Sequence, residues 1–327
     1  MYGLPGFESS DEPEQLEFER LSESDAIDIA DQFFMLDAWS ATRLATERDD
    51  TFRLTTSEGD RVLKVAHPAD SYEFISLQLD ALRHASKVDH KLPLQRITAT
   101  PGGGDALSLA NGRMAWVLEW LPGDLLLHTP TGPDELGALG DALGRLSKAL
   151  GKYKNEAATR LSAWDLQTVP RLATLLAELP NDAASAAIAR FNERVAPRAS
   201  ELPTQIIHND FNPGNVLVDP SAPRFVTGIL DFGDVVHSFR VADLAVALSY
   251  QIVPMRHNWE DLAPMIAAFE RHVPLNTAEH EVLRDLVAAR FAQRILVNGW
   301  LSRFDGERDG QHDAIVTALS ALLSMEA

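Results

Sequence analysis

The stretch Gln205–Asp219, QIIHNDFNPGNVLVD, is the most informative part of the chain. An apolar segment runs into His208-Asn209-Asp210, a loop with proline and glycine follows, and a second apolar segment begins after Asn215. A further apolar run, Val226–Leu230, ends in Asp231-Phe232-Gly233-Asp234. Because loops at the ends of rigid strands commonly hold functional side chains, this pattern predicts carboxylates and an amide grouped at one edge of a sheet.

Two carboxylates and an amide in this arrangement suit phosphoryl transfer. One carboxylate can orient and deprotonate an acceptor hydroxyl, while the amide and the second carboxylate bind Mg²⁺ on a nucleoside triphosphate. Taken singly, Asp210 and Asn215 would be ordinary turn residues and Asp231 the start of a loop. The joint spacing and the flanking apolar runs favour the catalytic interpretation.

The pattern His208-x-Asp210-x4-Asn215, followed by Asp231-Phe232-Gly233, resembles the signature of the aminoglycoside phosphotransferase/choline kinase superfamily, relatives of protein kinases. The resemblance implies that Asp210 is the catalytic base and that Asn215 and Asp231 bind Mg²⁺. It also implies that His208 supports the catalytic loop. Asp243 matches the family's buried aspartate, which holds the backbone of that loop, although an acid near a helix N-terminus is stabilising in any case.

The order of predicted elements indicates two lobes. At 327 residues the chain exceeds one ordinary core. Residues 1–23 are polar and acidic and are expected to form a flexible arm. Residues 24–121, with a predicted hairpin at 51–66 and a helix at about 69–85, form a small N-lobe, and residues 122–327 form a larger C-lobe. The expected fold is α+β and, from the resemblance, protein-kinase-like, with an antiparallel sheet and one packed helix in the N-lobe and a mostly helical C-lobe.

Composition excludes several classes of protein. Acidic residues number 48 against 29 basic ones, a formal charge of −19, so nucleic acid is not an expected partner. The absence of cysteine excludes disulfides, thiolate catalysis and Cys-ligated zinc. No apolar run reaches the length of about 18 residues that spans a bilayer, and the acidic start does not resemble a secretory leader. No membrane partner is expected, and a cytoplasmic location is the expectation.

Lys64 is the candidate cation for the nucleotide phosphates. It is the one lysine of six that lies inside an apolar strand pattern, Val62-Leu63-Lys64-Val65, where an ammonium must snorkel or meet an anion. The resemblance assigns this lysine to the α- and β-phosphates and the loop 47–52, with Asp49, to a position over them. Glu73 is a candidate partner for Lys64, although the family's acidic position falls nearer Ser76.

The segment Trp116–Gly123 is a predicted hinge between the lobes. In the family, the backbone here hydrogen-bonds a purine, which makes the carbonyl of Glu119 and the amide of Leu121 the candidates. Backbone contacts leave no mark in a sequence, so ATP and GTP both remain open. The expected cofactors are therefore Mg²⁺ with ATP or GTP.

Three segments, 160–166, 228–235 and 289–293, resemble the hydroxylysine kinase branch and the kinase domain fused to some class-III aminotransferases. In that branch the acceptor is the hydroxyl of an amino acid or small amine. Arg290 and Arg294, at i and i+4 of a predicted helix, could face one carboxylate. Asp234, and Asp165 or Trp164, could receive an ammonium. The alternative is that the arginines lie on a solvated face and that Trp164 is part of the core.

The predicted function is a Mg²⁺-dependent small-molecule kinase with a hydroxylysine- or homoserine-like acceptor. One alternative keeps the fold and makes the acceptor an aminoglycoside or a macrolide. A second alternative is a pseudokinase that binds nucleotide without turnover. Outside the site, Gly137, Gly140 and Gly144 fall within a helical pattern and predict close helix packing.

Overall fold

The structure is a computed structural model that describes residues 4–7, 18–46, 48–305 and 310–325. It separates into two compact units, Pro13–Pro122 and Gly123–Ala327, the second of which also includes Met1–Glu12. Within the described ranges, no helix is both long and apolar enough to span a membrane. The predicted α+β class is confirmed, with antiparallel sheet in the first unit and mostly helix in the second.

In the first unit, the described residues form one antiparallel sheet and two α-helices. The sheet order is β1-β2-β3-β6-β4, and β5 also pairs with β6. The helices and strands are α1 Glu23–Phe34, β1 Ala38–Arg43, β2 Asp50–Thr56, β3 Arg61–Val65, α2 Tyr72–Val88, β4 Ile97–Thr98, β5 Leu107–Ser108 and β6 Met114–Glu119.

The predicted hairpin and helix of this unit are confirmed. β2 and β3 pair antiparallel around a turn in which Gly59 adopts a φ of 100°, a conformation that glycine accepts without a Cβ penalty. The Thr56 hydroxyl donates to the Gly59 carbonyl at 2.6 Å and closes the turn. Buried apolar side chains of β2, β3 and β6 form one core with α1. The central strands of the sheet are therefore held rigidly.

Residues 4–7, within the segment expected to be a flexible arm, are packed rather than loose. Leu4 and Phe7 are fully buried, and Thr174 and Arg171 donate to the carbonyls of the intervening Pro5 and Gly6. This placement differs from the expected flexible arm because two apolar side chains in an acidic stretch find a buried site far along the chain. Residues 18–23 are described and mostly exposed, whereas residues 1–3 and 8–17 lie outside the described residues.

The described residues of the second unit form six α-helices and two small sheets. β10-β9-β7 form one sheet and β11-β8 the other. The elements are β7 Asp124–Leu125, α3 Pro133–Leu150, α4 Asp182–Arg190, β8 Thr204–Ile207, β9 Val216–Val218, β10 Val226–Ile229, β11 Val236–Phe239, α5 Arg240–Ile252, α6 Ala263–Glu270, α7 Thr277–Asp305 and α8 His312–Ser324. Shorter 3-10 and π-helical segments connect several of them.

Close helix packing occurs at two of the three glycines expected to allow it. A Cβ on Gly140 would collide with the Met265 carbonyl of α6, and one on Gly144 would approach the Phe269 carbonyl at 2.8 Å. A Cβ on Gly137 would meet nothing within 4 Å, so the prediction is wrong for that residue. The two glycines let α3 and α6 pack backbone to backbone.

Candidate active site

The candidate catalytic loop lies between β8 and β9, and the start of α5 holds it in place. The buried carboxylate of Asp243, in the first turn of α5, accepts the backbone N–H of Asn209 at 2.8 Å and of His208 at 3.4 Å. Asn209 has a φ of 66°, in the left-handed region that few residues other than glycine and asparagine adopt. Burial raises the pKa of Asp243 to about 7, although these amide hydrogen bonds act to lower it. Asp243 therefore holds this backbone conformation directly before Asp210.

His208 is fully buried and links two loops. Its Nε2 lies 3.0 Å from the carbonyl of Leu230 and its Nδ1 lies 3.3 Å from the backbone N–H of Asp210, which assigns the proton to Nε2. The edge of the ring contacts Phe232, with centroids 4.9 Å apart. Burial lowers the pKa of His208 to about 4, so the imidazole is neutral near pH 7. Its contacts are those of a structural support, not of a base.

Asp210 presents a carboxylate that is 18% exposed and held from three sides. The Asn212 amide donates to both carboxylate oxygens at 2.9 Å, and the Asn215 amide donates to Oδ2 at 2.6 Å. Arg290 Nη2 lies 3.8 Å from Oδ1. Burial and then the charge of Asp234 raise the pKa of Asp210 to about 7, against the opposing effect of Arg290. A carboxylate with a pKa near neutrality matches the requirement for a general base at neutral pH.

Asn212 was not identified from the sequence as a functional residue. It lies two residues after Asp210 in a loop rich in asparagine, proline and glycine, where any asparagine resembles a turn former. The structure shows that its amide also reaches back to the carboxylate. Only the conformation of the loop shows that Asn212 orients the Asp210 carboxylate as well as forming a turn.

Asn215 and Asp231 lie at the same end of the β9–β10 hairpin. Val216 pairs with Ile229, and the Leu230 N–H donates to the Asn215 carbonyl at 2.8 Å. Since the Asn215 amide nitrogen points at Asp210, its amide oxygen faces the other way. Asp231 is exposed, with a φ of 55°, and accepts the Gly233 N–H at 3.0 Å. An amide oxygen and a carboxylate at one end of a hairpin are ligand types that a hard divalent cation such as Mg²⁺ accepts.

Lys64 lies in β3, between Thr51 of β2 and Trp116 of β6. Its side chain is 12% exposed, and Nζ lies 3.4 Å from an Asp49 carboxylate oxygen. Asp49 thus contacts the lysine from the loop that precedes β2, whereas Glu73 is exposed in the first turn of α2. Glu47, in the same loop, lies outside the described residues, and pairing of Lys64 with Glu73 stays a prediction.

A buried charge network anchors the loop that contains Asp49. The neighbouring Asp50 is fully buried and accepts from Arg43 and Arg113, each at 2.8 Å. Burial alone would raise the pKa of Asp50, but the hydrogen bonds from Arg43 and Arg113 hold it below its usual range. Removal of either arginine would leave a buried charge poorly compensated. The network holds Asp50 in place and thereby anchors the backbone next to Asp49.

At the predicted hinge, the Glu119 carbonyl already accepts one hydrogen bond. The Gln95 side-chain amide donates to it at 3.0 Å, and the Glu119 N–H donates to the Arg96 carbonyl at 2.8 Å. A carbonyl oxygen has two lone pairs, so this contact leaves room for a second donor. Leu121, the other predicted contact, is half-buried. Gln95 is a further residue that the sequence did not identify.

The two arginines predicted to bind an acceptor carboxylate are buried and occupied by protein groups. Arg290 is 2% exposed, donates to the Trp164 carbonyl at 3.0 Å and stacks 4.7 Å above the Trp164 ring. Arg294 donates to the Val253 carbonyl at 2.7 Å and stacks 4.4 Å above Tyr250. Neither lies on the solvated helix face that was the alternative. These contacts make both arginines poor acceptor ligands.

Asp165 and Trp164 also differ from their predicted roles. Asp165 is buried, accepts the Ser238 hydroxyl and caps the following 3-10 helix through the Gln167 N–H. Burial raises the pKa of Asp165 despite these hydrogen bonds. One face of the half-buried Trp164 is covered by Arg290. Of the predicted ammonium ligands, Asp234 is the one with substantial exposure, 35% of its side chain.

Comparison with known proteins agrees with this geometry. Residues 40–286 match the phosphotransferase enzyme family, APH. The chain is 27% identical over 297 residues to the hydroxylysine kinase of Danio rerio, covering 85% of this chain and 83% of that protein. In fold it is similar to the amicoumacin kinase hAmiN, at a TM-score of 0.72 and 16% identity, with 93% of each chain covered. It is also similar to a microcompartment-associated aminopropanol kinase, at a TM-score of 0.65 and 18% identity, covering 92% of this chain and 94% of that one.

The family match extends over both units and includes all the residues that the sequence motifs singled out in the catalytic loop. It confirms the resemblance on which the predicted fold and enzyme class depended. The chain belongs to the APH phosphotransferase enzyme family and is a phosphotransferase that uses an alcohol group as acceptor.

Proposed function

We propose that the protein is a Mg²⁺-dependent kinase that transfers the γ-phosphoryl group of ATP or GTP to the hydroxyl of an amino acid or small amine. Hydroxylysine and homoserine are the expected kind of acceptor. The observation that supports this most directly is the Asp210 carboxylate, which Asn212 and Asn215 orient and which has a pKa of about 7. Similarity to hydroxylysine kinases supports the class of acceptor.

In the proposed reaction Asp210 accepts a hydrogen bond from the acceptor hydroxyl and takes its proton as the hydroxyl oxygen bonds to the γ-phosphorus and the bond from that phosphorus to the leaving nucleoside diphosphate breaks. Lys64 binds the phosphates of the nucleotide, and Asn215 and Asp231 hold Mg²⁺. The metal, when bound, screens the phosphate charge, which matters in a chain with a formal charge of −19. His208 and Asp243 keep the loop in position.

The proposed purine contacts are the Glu119 carbonyl and the Leu121 amide. Gln95 orients that carbonyl through the hydrogen bond at 3.0 Å. Backbone groups of this kind serve adenine and guanine alike, so both ATP and GTP belong in the test.

The experiment is release of nucleoside diphosphate with Mg²⁺ and ATP or GTP against a panel of acceptors. The panel holds 5-hydroxylysine, homoserine, threonine, ethanolamine, choline and two aminoglycosides. Acceptor-dependent release that Asp210→Asn abolishes, with nucleotide binding retained, supports the proposal. Asp219→Asn, a like change at a partly exposed carboxylate after β9, is the matched control and keeps its activity.

The same panel separates the alternatives. Release with aminoglycosides alone identifies an antibiotic kinase. Nucleotide binding without release in any arm leaves either a pseudokinase or an acceptor outside the panel; Lys64, Asp210, Asn215 and Asp231 are all present, which favours the second. Activity that survives Asp210→Asn contradicts the assignment of the base.

A further inference from the structure

The acceptor hydroxyl must lie within about 3 Å of the Asp210 carboxylate at the moment of transfer. Charged groups close to Asp210 in the same unit are therefore the ones that the rest of a small acceptor meets. The charges of Asp234, Arg290 and Asp231 all influence the pKa of Asp210. Arg290 already pairs with Asp210 itself, its Nη2 lying 3.8 Å from Oδ1, and Asp231 is the proposed metal ligand. Asp234 is the third of these groups, and Arg160 lies beside it.

Arg160 reaches this position from the loop that precedes Trp164. Its Nη2 donates to the Gly233 carbonyl at 3.3 Å and lies 4.0 Å from an Asp234 carboxylate oxygen. A separation of 4.0 Å is longer than a hydrogen bond, so this is a loose ion pair. The Arg160 side chain is only 6% exposed, and a poorly hydrated guanidinium attracts a carboxylate more strongly than one in bulk water.

We propose that Arg160 and Asp234 bind the α-carboxylate and the α-ammonium of a zwitterionic amino-acid acceptor whose side-chain hydroxyl lies at Asp210. The inference rests on the proposed kinase function and goes beyond it by naming the feature that selects the acceptor. An α-amino acid has its two opposite charges on one carbon, and Arg160 and Asp234 offer two opposite charges side by side. A simple amine has no group for Arg160 and binds through Asp234 alone.

The test uses acceptor pairs that differ by one carboxylate: homoserine against 3-aminopropanol, and threonine against 1-amino-2-propanol. The wild type is expected to prefer the amino acid in each pair. Arg160→Met raises the KM of the amino acid by about 10- to 100-fold, the usual effect of losing a hydrogen bond to a charged group, and leaves the KM of the amine and of the nucleotide unchanged. Arg303→Met removes a surface arginine that pairs with Glu178 and is the matched control.

Asp234→Asn tests the other half of the pair and is expected to raise the KM of both members. If Arg160→Met raises the KM of the amino acid and of the amine equally, or raises the KM of the nucleotide, Arg160 only holds the turn at Gly233. Either result would overturn the inference. A wild type without preference within the pairs overturns it as well.

Calorimetric binding of the two acceptors to the full chain separates this inference from the proposed function. If no acceptor supports diphosphate release, the kinase proposal fails. The inference then stands only if the wild type binds homoserine more tightly than 3-aminopropanol and Arg160→Met abolishes that difference. If neither acceptor binds, the inference fails too.

Discussion

Replacing Arg290 with methionine should move the pH dependence of catalysis to higher pH. Arg290 Nη2 lies 3.8 Å from Asp210 Oδ1, and its positive charge lowers the pKa of Asp210, which burial and Asp234 raise to about 7. Asp210 must be ionised to accept the proton, so kcat/KM for the acceptor falls as pH drops through that pKa. Without Arg290 the carboxylate keeps its proton to a higher pH, so the acidic limb of the plot of kcat/KM against pH moves to higher pH.

The size of the shift follows from Coulomb's law. At about 4 Å, two unit charges interact by about 1 kcal/mol in water and about 4 kcal/mol at an effective dielectric constant of 20. One pKa unit corresponds to about 1.4 kcal/mol, so the limb should move up by about 1–3 pH units. The assay is kcat/KM for the acceptor between pH 5 and 9 (roughly two units either side of neutrality), with Mg²⁺ and nucleotide saturating.

Two controls make the result interpretable. Arg290→Lys keeps the charge and should leave the limb close to its wild-type position. Arg294→Met removes a buried arginine of the same helix that contacts Val253 and Tyr250, and it should lower stability without moving the limb. A folded Arg290→Met enzyme whose acidic limb stays in place, or moves to lower pH, would refute the electrostatic role of Arg290.

Two further predictions concern the elements that hold the loop. Asp243→Ala leaves two buried amide donors without an acceptor and should lower the free energy of unfolding by about 2–5 kcal/mol, measured by urea denaturation. Asp243→Asn retains one acceptor oxygen and should lower the free energy of unfolding by less. Equal decreases in the two variants would contradict the hydrogen-bonding role of Asp243. Gly140→Ala, which collides with the Met265 carbonyl, should cost about 1–3 kcal/mol, whereas Gly137→Ala, in open space, should stabilise the helix by about 0.5–1 kcal/mol. If the thermal midpoint of Gly140→Ala rises as that of Gly137→Ala is expected to, α3 and α6 adjust freely and the close packing at Gly140 carries no cost.

The catalytic loop was largely predictable because its signal is local. His208, Asp210 and Asn215 lie within eight residues of one another between two apolar runs. Asp231 follows the next apolar run. When strands are short and joined by tight connections, the chain has few ways to separate the residues at their ends, so spacing along the sequence translates directly into proximity. The hairpin of β2 and β3 was predictable for the same reason.

The surroundings of the loop were harder to predict. The helical pattern indicated correctly that Arg290 and Arg294 share a helix, but it could not show which elements cover that face. The structure places Trp164 and Tyr250 against these guanidiniums, so residues that the pattern offered as acceptor ligands are parts of the core. A side chain's neighbours across the core depend on contacts between distant segments, and periodicity contains no record of them.

The sequence by itself determined the family, the fold class and the enzyme class, and it located the candidate catalytic residues, because these depend on residue types at short, characteristic spacings. The tertiary structure decided what surrounds them: Asp49 beside Lys64, Arg290 beside Asp210, and Arg160 beside Asp234. It also placed Leu4 and Phe7 in the core. Apart from the Asp49–Lys64 pair, which the β2–β3 hairpin brings together, these are charge pairs and burials between segments far apart in the chain, and only the packed fold brings such segments within a few ångströms of each other.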